Sequence, residues 1–122
     1  MTKPAKSGRH VSGDFFSHAK RKAGYRKIPF DLSIGELDTI MEQQNFRCVY
    51  TDIPICASTR KRYTASLDRI DSSKGYLVDN VQFVYTPINM MKGPLTEKAF
   101  YDMVEKIYHN KIAYQGIDPD QE

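Results

Sequence analysis

Two short apolar runs, separated by a polar loop, limit what this chain can fold into more than any other feature. The runs are Ala65–Leu67 and Val81–Tyr85. Both are too short and too β-rich to be helices. Ser72-Ser73-Lys74-Gly75 lies between them and is typical of a loop. The pattern therefore predicts two strands joined by a loop.

A short helix is predicted directly after the second strand. Pro87 suits the first turn of a helix, which we expect to run to about Met91. In this arrangement Asp68 ends the first strand and Asn89 lies one turn into the helix. Oxygen ligands from two such elements can face one hard cation such as Mg²⁺.

The same stretch resembles the HNH (His-Me finger, ββα-metal) endonucleases, and more narrowly their phage and bacterial branch. The residues that carry the resemblance are S-L-D-R-I-D, a Gly-Tyr turn, Asn80 and N-x-M-K. The similarity covers about Phe15 to Ile107. It implies an α+β fold, a small single domain with a ββα-metal core flanked by helices. It also implies a divalent-metal-dependent endonuclease that hydrolyses phosphodiester bonds of DNA by nicking or double-strand cleavage.

The resemblance assigns roles to four residues of the motif. Asp68 and Asn89 match the positions of the metal ligands, for which Mg²⁺ or Mn²⁺ is suitable. Asn80 belongs to the catalytic motif and matches the position whose side chain holds the loop in shape. Lys92 lies near enough to pair with a phosphate, although a solvent-facing lysine is an equal alternative. From residue type alone, Gly75 is expected to supply a positive φ in the loop.

The chain departs from the family pattern at Arg69, where the catalytic histidine is usual. Arginine stays protonated near neutral pH, so it is a poor general base but a good phosphate clamp. Asp71 can orient or deprotonate the water instead, a histidine from elsewhere can enter the site, or activity is weak or lost. His18 is the outside histidine that fits best, because it lies in the basic first helix. Our hypothesis is that Arg69 holds the scissile phosphate and Asp71 helps position the water.

Basic residues are concentrated at the start of the chain. Residues 1–30 carry a net charge of +7 and residues 31–122 a net charge of −4. A basic helix can lie along phosphates. We therefore expect nucleic-acid contacts from Lys20, Arg21, Lys22, Arg26 and Lys27. The alternative for the charge at this end is a solubilising surface, which we favour for the tail of residues 1–10.

Capping signals place three helices outside the motif. Ser12 or Asp14 is expected to cap a first helix that ends near Gly24. Ser33 and Glu36 form a capping-box pattern that begins a second helix. Thr96 is expected to cap a last helix. Its buried stripe is predicted to be Phe100, Val104, Ile107 and Tyr108. A hairpin is predicted between the second helix and the motif, with strands over residues 48–50 and 53–55.

The chain has 122 residues, which is enough for one small domain. We expect a disordered basic tail over 1–10, an HNH-like nuclease domain over 11–112 and an acidic tail over 113–122. No run is long enough for a membrane span and no signal-peptide pattern opens the chain. A cytoplasmic protein of a bacterial host or phage is expected, with DNA and not a membrane as its partner. The oligomeric state is not determined by the sequence.

Cys48 and Cys56 are expected to be free thiols. Many relatives hold a structural zinc with two C-x-x-C pairs, and here the pattern retains one cysteine, so no structural zinc is expected. Apolar packing is expected to hold the domain instead, through Val49, Tyr50, Phe83, Tyr85, Ile88, Phe100 and Val104. The alternative to an enzyme is a catalytically impaired HNH-fold DNA-binding module. An RNA-directed protein ranks below both, because no aromatic-rich RNA signature is present.

Overall fold

The computed structural model describes residues 10–59 and 62–113, and the predicted terminal tails lie largely outside them. Within this part the fold is α+β. In chain order the elements are α1 (Gly13–Tyr25), β1 (Phe30–Asp31), α2 (Ile34–Gln43), β2 (Ala65–Arg69), β3 (Tyr76–Leu77), β4 (Val81–Tyr85), α3 (Thr86–Lys92), α4 (Glu97–Ile107) and a π-helical segment (Tyr108–Ala113). No helix among the described residues has the length and apolar character needed to cross a membrane.

The predicted order of strand, loop, strand and helix is confirmed over β2, β4 and α3. β2 and β4 pair antiparallel, with Leu67 opposite Phe83 and Asp68 opposite Gln82. Because side chains alternate across a strand, these two pairs lie on opposite faces of the hairpin. Phe83 is fully buried and belongs to the core. The other face carries polar side chains against α3.

The predicted helix starts are confirmed. The Ser12 hydroxyl accepts a hydrogen bond from the Phe15 amide at 3.1 Å and caps α1. Ser33 and Glu36 form the complete capping box of α2, and Thr96 accepts from the Ala99 amide at 3.1 Å to cap α4. These contacts satisfy amide groups that the first turn of a helix leaves without a partner.

A second, two-stranded sheet was not predicted. β1 and β3 pair in parallel, with Phe30 opposite Tyr76, and the Tyr76 amide donates to the Pro29 carbonyl oxygen at 2.8 Å. The expected positive φ at Gly75 is wrong. A Cβ on Gly75 would lie 2.6 Å from the Pro29 carbonyl oxygen and 2.9 Å from the Pro29 Cβ. Glycine is therefore required by the close approach of two chain segments.

Two other expectations about the fold are wrong. The predicted hairpin before the motif is an isolated antiparallel bridge between Arg47 and Pro54, with turns in place of strands. The predicted packing set is only partly buried, because Val49 and Val104 are exposed while Phe83 and Phe100 are buried. The observed core joins the segment before α1 to α2 and the β2–β4 hairpin, through Val11, Leu37, Met41, Cys48, Phe83 and Val84.

Candidate nucleic-acid interface and candidate metal centre

A cleft of about 600 Å³ separates α1 from the β2–α3 unit. α1 contributes His18, Arg21 and Lys22 to its wall, with Arg26 directly after the helix. The opposite wall includes Asn89 of α3. The remaining walls are formed by Asp14, Phe15, Ser17, Ala19, Tyr63, Ala65, Ser66, Leu67, Tyr76 and Thr86. The cleft therefore joins basic side chains of the N-terminal region to the most characteristic motif of the sequence.

α1 presents its charged side to this cleft because its apolar side packs inward. Ala23 is fully buried, and Phe15 packs its ring against Phe83 of the core, with ring centroids 5.9 Å apart. This geometry leaves Arg21, Lys22 and Arg26 exposed. Long basic side chains on one wall of a groove create a local positive potential that attracts phosphate.

The six basic residues predicted to bind nucleic acid do not all lie together. Arg21, Lys22 and Arg26 line the cleft, whereas Lys20 and Lys27 are exposed outside its lining. Lys92 is 1% exposed, so the solvent-facing alternative for this lysine is wrong.

Lys92 is instead half of a buried ion pair. Its Nζ lies 3.2 Å from the Asp68 Oδ1 and 3.4 Å from the Arg69 carbonyl oxygen. The Gln82 amide donates to the Asp68 Oδ2 at 3.0 Å. Both oxygens of the Asp68 carboxylate thus have partners, and the residue is only 5% exposed.

A polar network extends this pair to α4. The Gln82 Nε2 lies 3.0 Å from the Tyr50 hydroxyl, which donates to the Glu97 Oε2 at 3.0 Å. Burial, followed by the hydrogen bond to Glu97, raises the pKa of the Tyr50 hydroxyl well above its usual range. Tyr50 therefore remains a neutral donor, and the network ties β2, β4, α3 and the start of α4 together.

The predicted metal ligands Asp68 and Asn89 have different surroundings. Asn89 faces the cleft, whereas Asp68 is not among the lining residues and already has the Lys92 ammonium as its counter-charge. Within the described residues, no three His, Cys, Asp or Glu side chains converge as metal ligands. Metal binding at Asp68 would require the Lys92 ammonium to move away from the carboxylate, and the metal-ligand roles of Asp68 and Asn89 stay predictions.

Arg69 and Asn80 organise the loop between β2 and β3. The Arg69 Nη1 donates to the carbonyl oxygens of Ser72 and Lys74, at 2.8 and 2.9 Å. The Asn80 side chain accepts from the Asp71 amide and donates to the carbonyl oxygens of Asp71 and Gly75, all within 3.0 Å. The loop-holding role expected for Asn80 is therefore confirmed. A phosphate contact by Arg69 stays a prediction, as does any catalytic role of Asn80.

Asp71 lies exposed at the start of this loop. Its Oδ1 accepts hydrogen bonds from the Ser73 hydroxyl at 2.6 Å and the Ser73 amide at 2.9 Å. These bonds, assisted by the positive charges of Lys74 and Arg69, lower the pKa of the Asp71 carboxyl. A carboxylate with a lowered pKa is a weak base, which suits positioning of a water better than its deprotonation.

The extent of the cleft was not predicted from the sequence. His18 was predicted only as a candidate from outside the motif, and it lines the same cleft as Asn89. Tyr63 and Tyr76 also line the cleft, and the Arg69 guanidinium lies 5.3 Å from the centroid of the Tyr76 ring. The basic run in α1 was the available signal, but the partner wall depends on tertiary packing.

A scan against protein-family models found no match, and neither did searches of curated proteins and of solved structures.

Proposed function

We propose that this chain is a divalent-metal-dependent DNA endonuclease with a ββα core formed by β2, β4 and α3. The observation that carries the proposal is the cleft between α1 and α3. It combines three basic side chains that suit a phosphate backbone with His18 and Asn89. Phosphodiester hydrolysis needs a held phosphate, an activated water and a neutralised leaving oxygen. The cleft offers groups for the first two, and a bound divalent cation would neutralise the leaving oxygen.

Each group in the cleft has a distinct role in this proposal. Arg21, Lys22 and Arg26 hold the backbone of one DNA strand through charge-assisted hydrogen bonds. The His18 imidazole accepts the proton of the attacking water, because a neutral imidazole has an acceptor nitrogen whereas an arginine guanidinium has only donors. The Asn89 amide orients the reacting phosphate group. Arg69 keeps the adjacent loop folded and provides a further positive charge.

Nicking of supercoiled plasmid tests the enzymatic part of the proposal. The full chain is incubated with plasmid in Mg²⁺, in Mn²⁺ and in EDTA, beside His18→Gln and the control His10→Gln, whose histidine is half-buried and lies outside the lining of the cleft. We expect conversion to open-circular DNA in at least one metal, none in EDTA, and a loss specific to His18→Gln. Cleavage that persists in EDTA would contradict metal dependence. Undiminished cleavage by His18→Gln would show that His18 takes no part in the mechanism.

The second candidate is a DNA-binding module that has the fold without the chemistry. It is supported by the buried pair of Lys92 and Asp68, because a carboxylate already neutralised by an ammonium is a poor site for a second cation. DNA binding without cleavage in any metal supports this candidate over the enzyme.

A further inference from the structure

The face of α1 that lines the cleft continues to the end of the helix. His18, Arg21 and Lys22 line the cleft, and Tyr25 is the last residue of α1. These four positions have the i, i+3, i+4, i+7 spacing of one helix face. Tyr25 therefore lies on the same face, about one turn beyond Lys22. The next residue, Arg26, also lines the cleft.

The Tyr25 side chain is 78% exposed, which is more than any other large apolar or aromatic side chain in the described part of the chain. Among the described residues, neither its ring nor its hydroxyl has a hydrogen-bond or ring partner. A ring with this exposure contributes little to the core. Tyrosine is enriched where proteins bind partners, because its ring offers a large contact area and its hydroxyl tolerates water.

A single exposed tyrosine needs no explanation by itself, but Tyr25 lies among basic side chains. Lys22, Arg26 and Lys27 are within three residues of it in the chain, and all three are exposed. Cations beside an aromatic ring are the combination that binds single-stranded nucleic acid, because the cations contact the phosphates while a base stacks on the ring. In an intact duplex the bases stack on one another, so none presents its face to a protein ring.

The cleft itself has the size of a single-strand site. Its volume of about 600 Å³ lies within the range of sites that hold small molecules, which suits a segment of one strand and not the full width of a duplex. Tyr63 and Tyr76 also line the cleft, but their rings already pack against Phe15 and Phe30. They form walls, and Tyr25 is the ring at this surface that is left to stack on a base.

We propose that Tyr25 is a base-stacking residue and that the cleft binds a single DNA strand, whose phosphates lie along Arg21, Lys22 and Arg26. The substrate class that follows is DNA with unpaired nucleotides, such as a single strand, a flap or a junction, in preference to intact duplex. This inference rests on the proposed function, because it takes the cleft to be the DNA site. It concerns binding and not cleavage, so the two proposals can fail separately.

Fluorescence anisotropy with an oligonucleotide of about 12 nucleotides, single-stranded or annealed to its complement, tests the preference. EDTA is present, so cleavage plays no part in the result. Phosphate contacts alone favour the duplex, because its charge is denser. We expect the full chain to bind the single strand at least about tenfold more tightly than the duplex. Equal or tighter binding of the duplex would overturn the proposal, even if the protein cleaves plasmid.

Substitutions of Tyr25 test the stacking itself, and so exposed a position tolerates them without loss of the fold. Tyr25→Leu should lose about tenfold in affinity for the single strand and little for the duplex. Tyr25→Phe should retain the wild-type affinity, because the ring stacks without its hydroxyl. Single-strand binding by Tyr25→Leu at the wild-type level would show that no base stacks on this residue.

Tyr101 of α4 supplies the matched control, since it is a tyrosine that is 53% exposed and lies outside the lining of the cleft. The residues from Tyr101 to Tyr108 are all exposed. The predicted burial of Val104, Ile107 and Tyr108 is therefore wrong within the part of the chain that the structure describes. Tyr101→Leu should bind both forms of DNA as the wild type does, and a loss equal to that of Tyr25→Leu would contradict the assignment.

A tryptophan reporter gives a direct readout of stacking. The chain contains no tryptophan, so Tyr25→Trp and Tyr101→Trp each carry a single indole. A base stacked on an indole quenches its fluorescence. We expect the single strand to quench Tyr25→Trp strongly, the duplex to quench it weakly, and neither to change Tyr101→Trp. Unchanged fluorescence of Tyr25→Trp at saturating single strand would overturn the proposal.

Discussion

At the scale of single residues, a structural role was correctly expected for Gly75, but the physical reason for that role was wrong. Glycine in a loop suggests a positive φ, but here the need for glycine is spatial. The loop passes so close to Pro29 that a Cβ would lie 2.6 Å from the carbonyl oxygen of that residue. This contact joins β3 to β1. Pro29 and Gly75 are 46 residues apart in the chain, so no local sequence pattern reveals that they meet.

The first prediction follows from that contact. Gly75→Ala should destabilise the protein by about 1–3 kcal/mol, because the backbone must move to admit the methyl group. Gly24→Ala is the matched control, since nothing lies within 4 Å of its added Cβ and alanine favours a helix by about 0.5–1 kcal/mol. Urea unfolding measures both. Equal stability changes for the two variants would contradict the close approach of Gly75 to Pro29.

The buried ion pair gives the second prediction at this scale. Lys92→Met leaves the Asp68 carboxylate buried without its counter-charge, which should cost about 3–5 kcal/mol of unfolding free energy. Lys98→Ala removes an exposed ion pair with Asp102 and should cost less than about 1 kcal/mol. Adding Asp68→Leu to Lys92→Met should recover much of the loss. A Lys92→Met variant as stable as the wild type would show that the pair is not formed in solution.

At the scale of elements, α1 is a helix with one side in the core and one side on the cleft. The third prediction concerns its basic side. The double variant Arg21→Ala, Arg26→Ala removes two phosphate contacts and should bind DNA more weakly. The slope of log Kd against log salt should fall by about 0.9 for each lost contact on duplex DNA. Fluorescence anisotropy over a salt series measures this slope. Lys98→Ala is the control, and an unchanged slope in the double variant would move the DNA site elsewhere.

The elements also show which structural features were predictable. β2, β4, α3 and the capped starts of α1 and α2 follow from patterns within a few residues, so the sequence predicts them well. The pairing of β1 with β3 involves two residues in each strand and depends on distant packing. The spacing of apolar residues along α4 identified its apolar face. That spacing does not show whether another part of the same chain covers the face.

At the scale of the whole molecule, the candidate site depends on how α1 docks across the β2–α3 unit. Asn89 and the basic run were both recognisable in the sequence, but their shared cleft and the burial of Lys92 were not. Residue type suggests that a lysine is solvated, and only the packed structure shows Asp68 beside it. The proposed function therefore depends on one long-range arrangement, which brings His18 and Asn89 to the same cleft.

The initial rate of plasmid nicking by Asn89→Ala, compared with wild type at saturating DNA, tests the location of the chemistry most directly. Asn110→Ala, a substitution of the same kind at an exposed position, is the control. We expect Asn89→Ala to lose at least about 100-fold in rate while binding DNA as tightly as wild type, and Asn110→Ala to retain full activity. Equal rates for all three proteins would show that the cleft is not the active site.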